Sequence, residues 1–205
     1  METYSWYKYL QENGLDYDYA GIQYRPGYYD QNKVCYATPY LHEISALLDK
    51  YSELGKRIHI TEFEVPSIQY DGMVRYGSQD WSDEMQAAYA EGMYILSFSK
   101  PYIDSITWWF IISNYEENPE YQRLIEPILF DEDHSPKPAY YVLKRLITKD
   151  WNASGASITD GDGQIEFQGF SGKYEITLSY DGLSTTRCIQ AQLGEENRFT
   201  IVFNA

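Results

Sequence analysis

The chain has 205 residues, of which 43% are hydrophobic, so it is long enough and apolar enough to form a folded core. Its 31 acidic residues against 16 basic ones give a net charge of −15, which disfavours nucleic acid and anionic membranes as partners. The two cysteines, Cys35 and Cys188, form neither a disulfide framework nor a metal-ligand spacing, and no apolar stretch reaches membrane-spanning length.

The first 150 residues repeat a pattern of strand, loop and helix at a spacing of about 40 residues. A short helix over 3–13 comes first and ends at Asn13-Gly14, a favourable C-cap pair. Apolar periodicity then predicts strands over 19–24, 57–65 and 103–112, with helices over 38–55, 82–96 and 135–147. Long aromatic loops follow the strands, whereas the connections from helix to strand are short. This asymmetry favours about three βα units of a (β/α)8 barrel, an α/β fold, over an open sheet.

The character of the chain changes after Trp151. A turn-rich stretch is followed by apolar and polar residues that alternate over 174–180, and Asp181-Gly182 is a hairpin signal. A last alternating strand is predicted over 199–203. Residues 151–205 are therefore predicted to form a small antiparallel domain, similar to a β-sandwich, after a barrel portion over 1–150.

Two carboxylates close together on one predicted strand are the strongest chemical signal in the sequence. Strand alternation places four residues on one face, namely Ile58, Ile60, Glu62 and Glu64. At the C-terminal end of a barrel strand such carboxylates indicate a site, since buried carboxylates without partners are costly. On spacing alone, a position at the start of a solvent-exposed loop explains the two carboxylates equally well.

Five segments follow one another in an order and at a spacing that one enzyme family shares. They are Gly21–Gln23, Ile60–Glu64, Ile106–Trp109, Leu129–Asp131 and Pro136–Tyr140. Together they resemble glycoside hydrolase family 10, the endo-β-1,4-xylanases, whose motifs include Gly-Leu-Gln, Ile-Thr-Glu-Leu-Asp and a closing Pro-Lys-Pro-Ala-Tyr. The resemblance implies that residues 1–150 are the C-terminal portion of a (β/α)8 TIM barrel.

The resemblance also implies roles for individual residues. Glu62 takes the position of the catalytic nucleophile, which cleaves β-1,4-xylan with retention of configuration. Gln23, Arg25, Trp109 and Glu64 take positions that line the substrate site, with Trp109 supporting the sugar beside the bond that is cut. This chemistry requires neither a metal ion nor an organic cofactor.

The chain departs from the family pattern at three places around these residues. Arg25 stands where the family has a histidine that hydrogen-bonds the nucleophile. An arginine can pair with Glu62, but it cannot shuttle a proton. Residues 110–112 replace the family's glycine and the acidic residue that follows it, and Glu64 replaces an aspartate.

A retaining glycosidase needs a second carboxyl group as acid/base, about 5–5.5 Å from the nucleophile. The family carries it in an Asn-Glu motif on the fourth strand, whereas this sequence begins near the fifth helix. We therefore expect a truncated, split or remnant gene product that carries the nucleophile without the acid/base and is inactive alone. The missing N-terminal half of the barrel is then an expected partner. No signal peptide is recognisable, so the compartment stays open, although the family is mostly secreted.

The expected ligand is a polysaccharide, xylan or a related β-glycan. Two alternatives stay open. One is a non-catalytic carbohydrate-binding or surface protein derived from such a barrel, which Arg25 and the lost carboxylate after Trp109 favour. The other is a related barrel hydrolase such as a β-glucanase, because specificity resides in the loops and not in the fold.

Overall fold

The computed structural model describes residues 2–27, 38–70, 73–112, 127–194 and 196–202. The chain divides into two compact units, Met1–Leu146 and Ile147–Ala205. The predicted boundary after residue 150 lies close to this division. Cys35 lies outside the described ranges.

The first unit alternates helices and strands along the chain. Its described elements are α1 (Glu2–Glu12), β1 (Tyr19–Tyr24), α2 (Leu41–Ser52), β2 (Arg57–Phe63), α3 (Asp83–Ser99), β3 (Ile103–Trp108) and α4 (Pro138–Arg145). Helix α3 begins where the Ser82 side chain accepts a hydrogen bond from the backbone N–H of Met85, and α4 begins with Pro138 in its first turn.

The three strands form one parallel sheet in the order β1-β2-β3. Ile60 of β2 lies opposite Ile22 of β1 and Ile106 of β3. Because each parallel connection passes through a helix, the described residues confirm the predicted βα units.

The core of this unit lies on one face of the sheet. Ile58, Ile60 and Phe63 of β2 are fully buried, with the Phe63 ring 5.4 Å from that of Trp108 and 6.0 Å from that of Tyr94 on α3. The helices contribute a further buried set, which includes Ile44, Leu48, Tyr51, Ala87, Tyr89, Ala90 and Met93. Each large apolar side chain buried in this way contributes about 1.5–3 kcal/mol.

The predicted alternation along β2 is wrong at its C-terminal end. It places Glu62 on the face of Ile58 and Ile60, with Phe63 on the other face. The strand pairing shifts register between Ile60 and Phe63, and Phe63 is the residue that is buried with the two isoleucines. A β-bulge adds a residue to the strand, and Glu62 thereby leaves the core face.

The third strand is also shorter than predicted, ending at Trp108 and not at 112. The backbone N–H of Trp109 still donates to the carbonyl of Phe63 at 2.9 Å. Beyond β3 the backbone is hydrogen-bonded to residues 129 and 130 and no longer to β2. The Ile111 carbonyl accepts from the N–H groups of Leu129 and Phe130, both at 3.0 Å.

A buried glutamine connects the sheet to the helix layer. Gln86 of α3 is fully buried, and its Nε2 donates to the carbonyl of Val65 at 2.8 Å and to that of Ile128 at 3.4 Å. A backbone carbonyl in such a place requires a donor, since leaving it unsatisfied costs about 1–3 kcal/mol. Gln86 therefore fixes the position of the segment that follows β2.

The second unit contains the antiparallel pair β4 (Gly172–Tyr180) and β5 (Leu183–Ala191). Asp181 and Gly182 join them with positive φ angles of 47° and 77°, as a type I′ hairpin turn requires. The predicted strand over 199–203 is wrong for its described part, because residues 199–202 are irregular, and Phe203 lies outside the described ranges. The sandwich-like arrangement of this domain stays a prediction.

Two further features of the described ranges bear on function. No helix there is long and apolar enough to cross a membrane. No three or more His, Cys, Asp or Glu side chains of those ranges are grouped so that they could hold a metal ion. In the acidic turn over 160–164, Asp160 is part of a local turn: its Oδ1 accepts from the backbone N–H groups of Asp162 and Gln164, at 3.0 and 2.7 Å.

Candidate active site

The C-terminal ends of β1 and β2 bring an amide against a carboxylate. Gln23 lies opposite Glu62 in the strand pairing, and its Nε2 donates to Glu62 Oε1 at 2.6 Å. The extra residue of the β2 bulge shifts the pairing of the two strands between Ile22 and Gln23, so that Gln23 lies opposite Glu62 and not opposite Thr61. The two side chains therefore meet although they lie 39 residues apart.

Arg25 lies between two carboxylates. Its Nη2 forms an ion pair with Glu62 Oε2, and its Nε lies 3.0 Å from Glu64 Oε1. The side chain of Glu64 is 0% exposed, that of Glu62 15% and that of Arg25 32%. Two acidic groups and one basic group leave the cluster with a formal charge of −1. The exposure increases from Glu64 to Glu62, so Glu62 is the carboxylate that a ligand can reach.

The backbone turn that follows Arg25 depends on close contacts at Gly27. Gly27 has a φ of 81°, and its carbonyl accepts from the N–H of Val74 at 3.1 Å. Trp81 Nε1 donates to the carbonyl of Val74 at 2.9 Å. A Cβ on Gly27 would lie 2.9 Å from both Trp81 Nε1 and the Val74 carbonyl oxygen, so only glycine allows this close approach.

Trp109 lies at the same edge of the sheet, directly after β3. Its backbone N–H donates to the carbonyl of Phe63, the residue after Glu62, at 2.9 Å. Its side chain is 47% exposed and packs edge-on against Phe110, with the ring centroids 6.1 Å apart. A half-exposed indole beside an accessible carboxylate is a surface on which a sugar ring can stack.

All five residues that the sequence singles out therefore lie at the carboxyl edge of one parallel sheet. Gln23, Arg25, Glu62 and Glu64 are in direct contact, and Trp109 follows the neighbouring strand at the same level. In α/β proteins, ligands bind at this edge. An accessible carboxylate held by an amide and a guanidinium can act as a nucleophile or as a base.

A buried lysine near this edge was missed by sequence reasoning. The Lys137 side chain is 1% exposed, and its Nζ lies 2.7 Å from Ser67 Oγ and 2.9 Å from Asp83 Oδ1. Lysine is almost always exposed, so composition gave no signal for this role. The Pro-Lys-Pro motif at the start of α4 contributed to the family resemblance but did not indicate that Lys137 is buried. Lys137 joins the segment after β2 to the first turn of α3.

The first unit of the chain is similar to known proteins of one enzyme family. Residues 2–146 match the model of glycosyl hydrolase family 10. An endo-1,4-β-xylanase of Geobacillus stearothermophilus is 28% identical over 146 residues, which is 68% of this chain and 42% of that protein. A β-1,4-xylanase of Dictyoglomus thermophilum is 28% identical over 152 residues, which is 71% of this chain and 41% of that protein.

A solved structure extends the comparison to three dimensions. Xylanase 10B from Thermotoga maritima superposes with a TM-score of 0.52 at 23% identity, covering 72% of this chain and 41% of that chain. The chain spans about two fifths of the length of these relatives. The three βα units are thus a portion of a (β/α)8 barrel, as predicted, and the family match over 2–146 establishes that the chain belongs to glycosyl hydrolase family 10.

Proposed function

We propose that this chain carries the nucleophile side of a retaining endo-β-1,4-xylanase site, with Glu62 as the nucleophile. The supporting observation is the Glu62 carboxylate, which is accessible at the carboxyl edge and held on both oxygens by Gln23 and Arg25. Glu62 attacks the anomeric carbon and forms a covalent glycosyl ester, which water then hydrolyses. Gln23 and Trp109 position the sugar, and Arg25 and Glu64 complete the wall of the site.

The reaction on a natural glycan also requires a general acid on the opposite side of the scissile bond. Glu64 does not fit this role, because it is fully buried, is paired with Arg25 and follows Glu62 by only two residues in the chain. We assign the acid to the remaining part of the barrel. That part is then the partner of the three βα units, because the three strands β1-β2-β3 do not close a barrel that needs eight. We propose residues 151–205 as a separate small β-domain.

A mechanism-based label tests the role of Glu62 without needing the acid. A 2-deoxy-2-fluoroxyloside with a dinitrophenolate leaving group departs without protonation, so a nucleophile alone can form the glycosyl ester. Mass spectrometry should find one added fluoroxylosyl group on the peptide that contains Glu62. Glu62→Gln should abolish it, whereas the exposed matched control Glu175→Gln in β4 should keep it. A label on another residue would refute the assignment.

The same protein tests whether the chain alone supplies a general acid. On xylan, whose leaving group is a poor one, the 205-residue chain should show no turnover above background. Robust hydrolysis that Glu62→Gln abolishes would show that a second carboxylate is present.

A non-catalytic carbohydrate-binding role is the second candidate. The observation that favours it is the permanent cation of Arg25 on Glu62, in place of a histidine that can release a proton. Calorimetric binding of xylohexaose without any covalent label would support this candidate over the first. Preference for a cello-oligosaccharide in the same experiment would indicate a β-glucan ligand.

A further inference from the structure

A buried tyrosine lies in the chain between the two residues that hold Glu62. Gln23 and Arg25 both contact the Glu62 carboxylate, and Tyr24 separates them. Tyr24 is only 4% exposed and lies opposite Phe63 in the strand pairing, where the two rings stack with centroids 6.1 Å apart and planes 6° apart. The core contact between the two strands is therefore directly beside the polar contacts of the site.

The hydroxyl of Tyr24 is anchored to two other segments of the chain. It donates to the carbonyl of Thr38 at 2.7 Å and lies 2.5 Å from the hydroxyl of Tyr89 on α3. Because its single proton is used on Thr38, the Tyr89 hydroxyl is the donor of the second bond. Tyr89 is itself 2% exposed, and its ring packs against those of Trp81 and Tyr76 at 5.4 and 5.6 Å. Tyr24 is thus tied to a partner that is itself well packed.

The strand pairing alone holds this part of the chain weakly. The pairing shifts register just before Gln23, and the hydrogen bond from the Glu64 N–H to the Tyr24 carbonyl is 3.4 Å long. Backbone hydrogen bonds usually span roughly 2.7–3.2 Å, so this one is a weak constraint. The side-chain anchor therefore has more influence on the position of Tyr24 than it would have in a regular strand. Because peptide units are rigid, a shift of Tyr24 also moves Gln23 and Arg25.

We propose that Tyr24 is a positioning residue, whose hydroxyl anchor keeps Gln23 and Arg25 on the Glu62 carboxylate. The proposal rests on the nucleophile role of Glu62 given above. Tyr24 is buried, so it acts through its two neighbours and not on the sugar. Without its hydroxyl, the buried Tyr89 hydroxyl loses the acceptor it binds, and the ring of residue 24 is no longer anchored. The carboxylate then loses the fixed orientation that attack on the anomeric carbon requires.

The rate of labelling by the 2-deoxy-2-fluoroxyloside tests this role. Tyr24→Phe keeps the ring and should lower the first-order rate of ester formation at saturating reagent about tenfold or more, because small misplacements are costly. The half-saturating reagent concentration should change less than about threefold, since binding is not the step affected. Tyr89→Phe should also slow the reaction, and the double variant should be no slower than Tyr24→Phe, because Tyr89 acts through Tyr24.

Tyr94→Phe is the matched control. Tyr94 is a buried tyrosine on α3, like Tyr89, and its ring also contacts Phe63, but it lies outside this chain of hydroxyls. This variant should form the ester at the wild-type rate. An equal loss of rate in Tyr94→Phe would overturn the proposal, and so would an unchanged rate in a folded Tyr24→Phe variant. A loss confined to reagent binding would overturn it as well.

Nuclear magnetic resonance separates this proposal from the nucleophile assignment. In Tyr89→Phe the side-chain amide resonances of Gln23 and the Nε–H resonance of Arg25 should move, although both residues are far from position 89 in the chain. Tyr94→Phe should leave them in place. If the wild type forms no ester, the nucleophile role of Glu62 fails, and these resonances still decide the positioning role. Unchanged resonances in a folded Tyr89→Phe variant overturn the proposal even if Tyr24→Phe does not fold.

Discussion

Lys137 shows how a single buried charge can hold two segments together. Its ammonium is hydrogen-bonded to Ser67 and paired with Asp83, which is itself half exposed. Lys137→Met removes the cost of burying a charge, but it withdraws the donor from buried Ser67. Because Asp83 can be rehydrated, we expect a moderate loss of about 1–3 kcal/mol in the free energy of unfolding. Urea titration measures it, with the exposed Lys173→Met as the control, which should change stability by less than about 0.5 kcal/mol. Equal midpoints for the two variants would contradict this role.

The candidate site could largely be anticipated residue by residue. The family resemblance implied that Gln23, Arg25, Glu62 and Trp109 lie around one site, and the C-terminal ends of parallel strands do share one edge. The contact of Arg25 with Glu64 as well as Glu62 was not predicted, because it depends on a burial that the sequence does not encode locally.

At the scale of elements, the turn after β1 depends on glycine. Gly27→Ala should destabilise the chain by about 1–3 kcal/mol more than Gly55→Ala, as thermal unfolding would measure. Both residues have positive φ angles, 81° and 66°, so the backbone strain is matched. Only at Gly27 does an added Cβ meet other atoms, whereas nothing lies within 4 Å at Gly55. Equal losses for the two variants would mean that the contact with Val74 and Trp81 is readily relieved.

In the first unit, the elements were predictable wherever apolar periodicity is unbroken. The three strands and the helices between them follow from apolar spacing, and their starts lie within three residues of prediction. The errors in this unit lie at strand ends, where β2 contains a bulge and the backbone beyond β3 pairs with residues 129 and 130. A bulge changes the face of a side chain without changing composition, so alternation cannot reveal it. In the second unit, alternation over 199–203 predicted a strand that the described residues do not form.

For the whole molecule, buried tyrosines set a limit on alkaline stability. Burial raises the pKa of Tyr94 to about 12, and burial likewise raises the pKa of Tyr89. In the unfolded chain these phenols ionise near pH 10, so their contribution to stability is complete below pH 10. It then declines between pH 10 and about pH 12, by about 1.4 kcal/mol per pH unit for each group. Urea unfolding at pH 9 and pH 11 should show this loss, and Tyr94→Phe should reduce it. An unchanged loss in that variant would contradict the assignment.

Gln86 has a consequence for how the chain assembles in time. Its amide reaches the carbonyl of Val65, 21 residues earlier, and that of Ile128, 42 residues later. Since loop-closure entropy grows only logarithmically, the second closure costs only about 0.6 kcal/mol more than the first. The two hydrogen bonds differ more in the time at which each can form during synthesis. During synthesis Val65 emerges from the ribosome before Gln86, whereas Ile128 emerges several seconds after it, at about 5–20 residues per second. In the nascent chain, Gln86 of α3 can therefore form its hydrogen bond to the Val65 carbonyl first. The bond to the Ile128 carbonyl can form only after that residue has been synthesised.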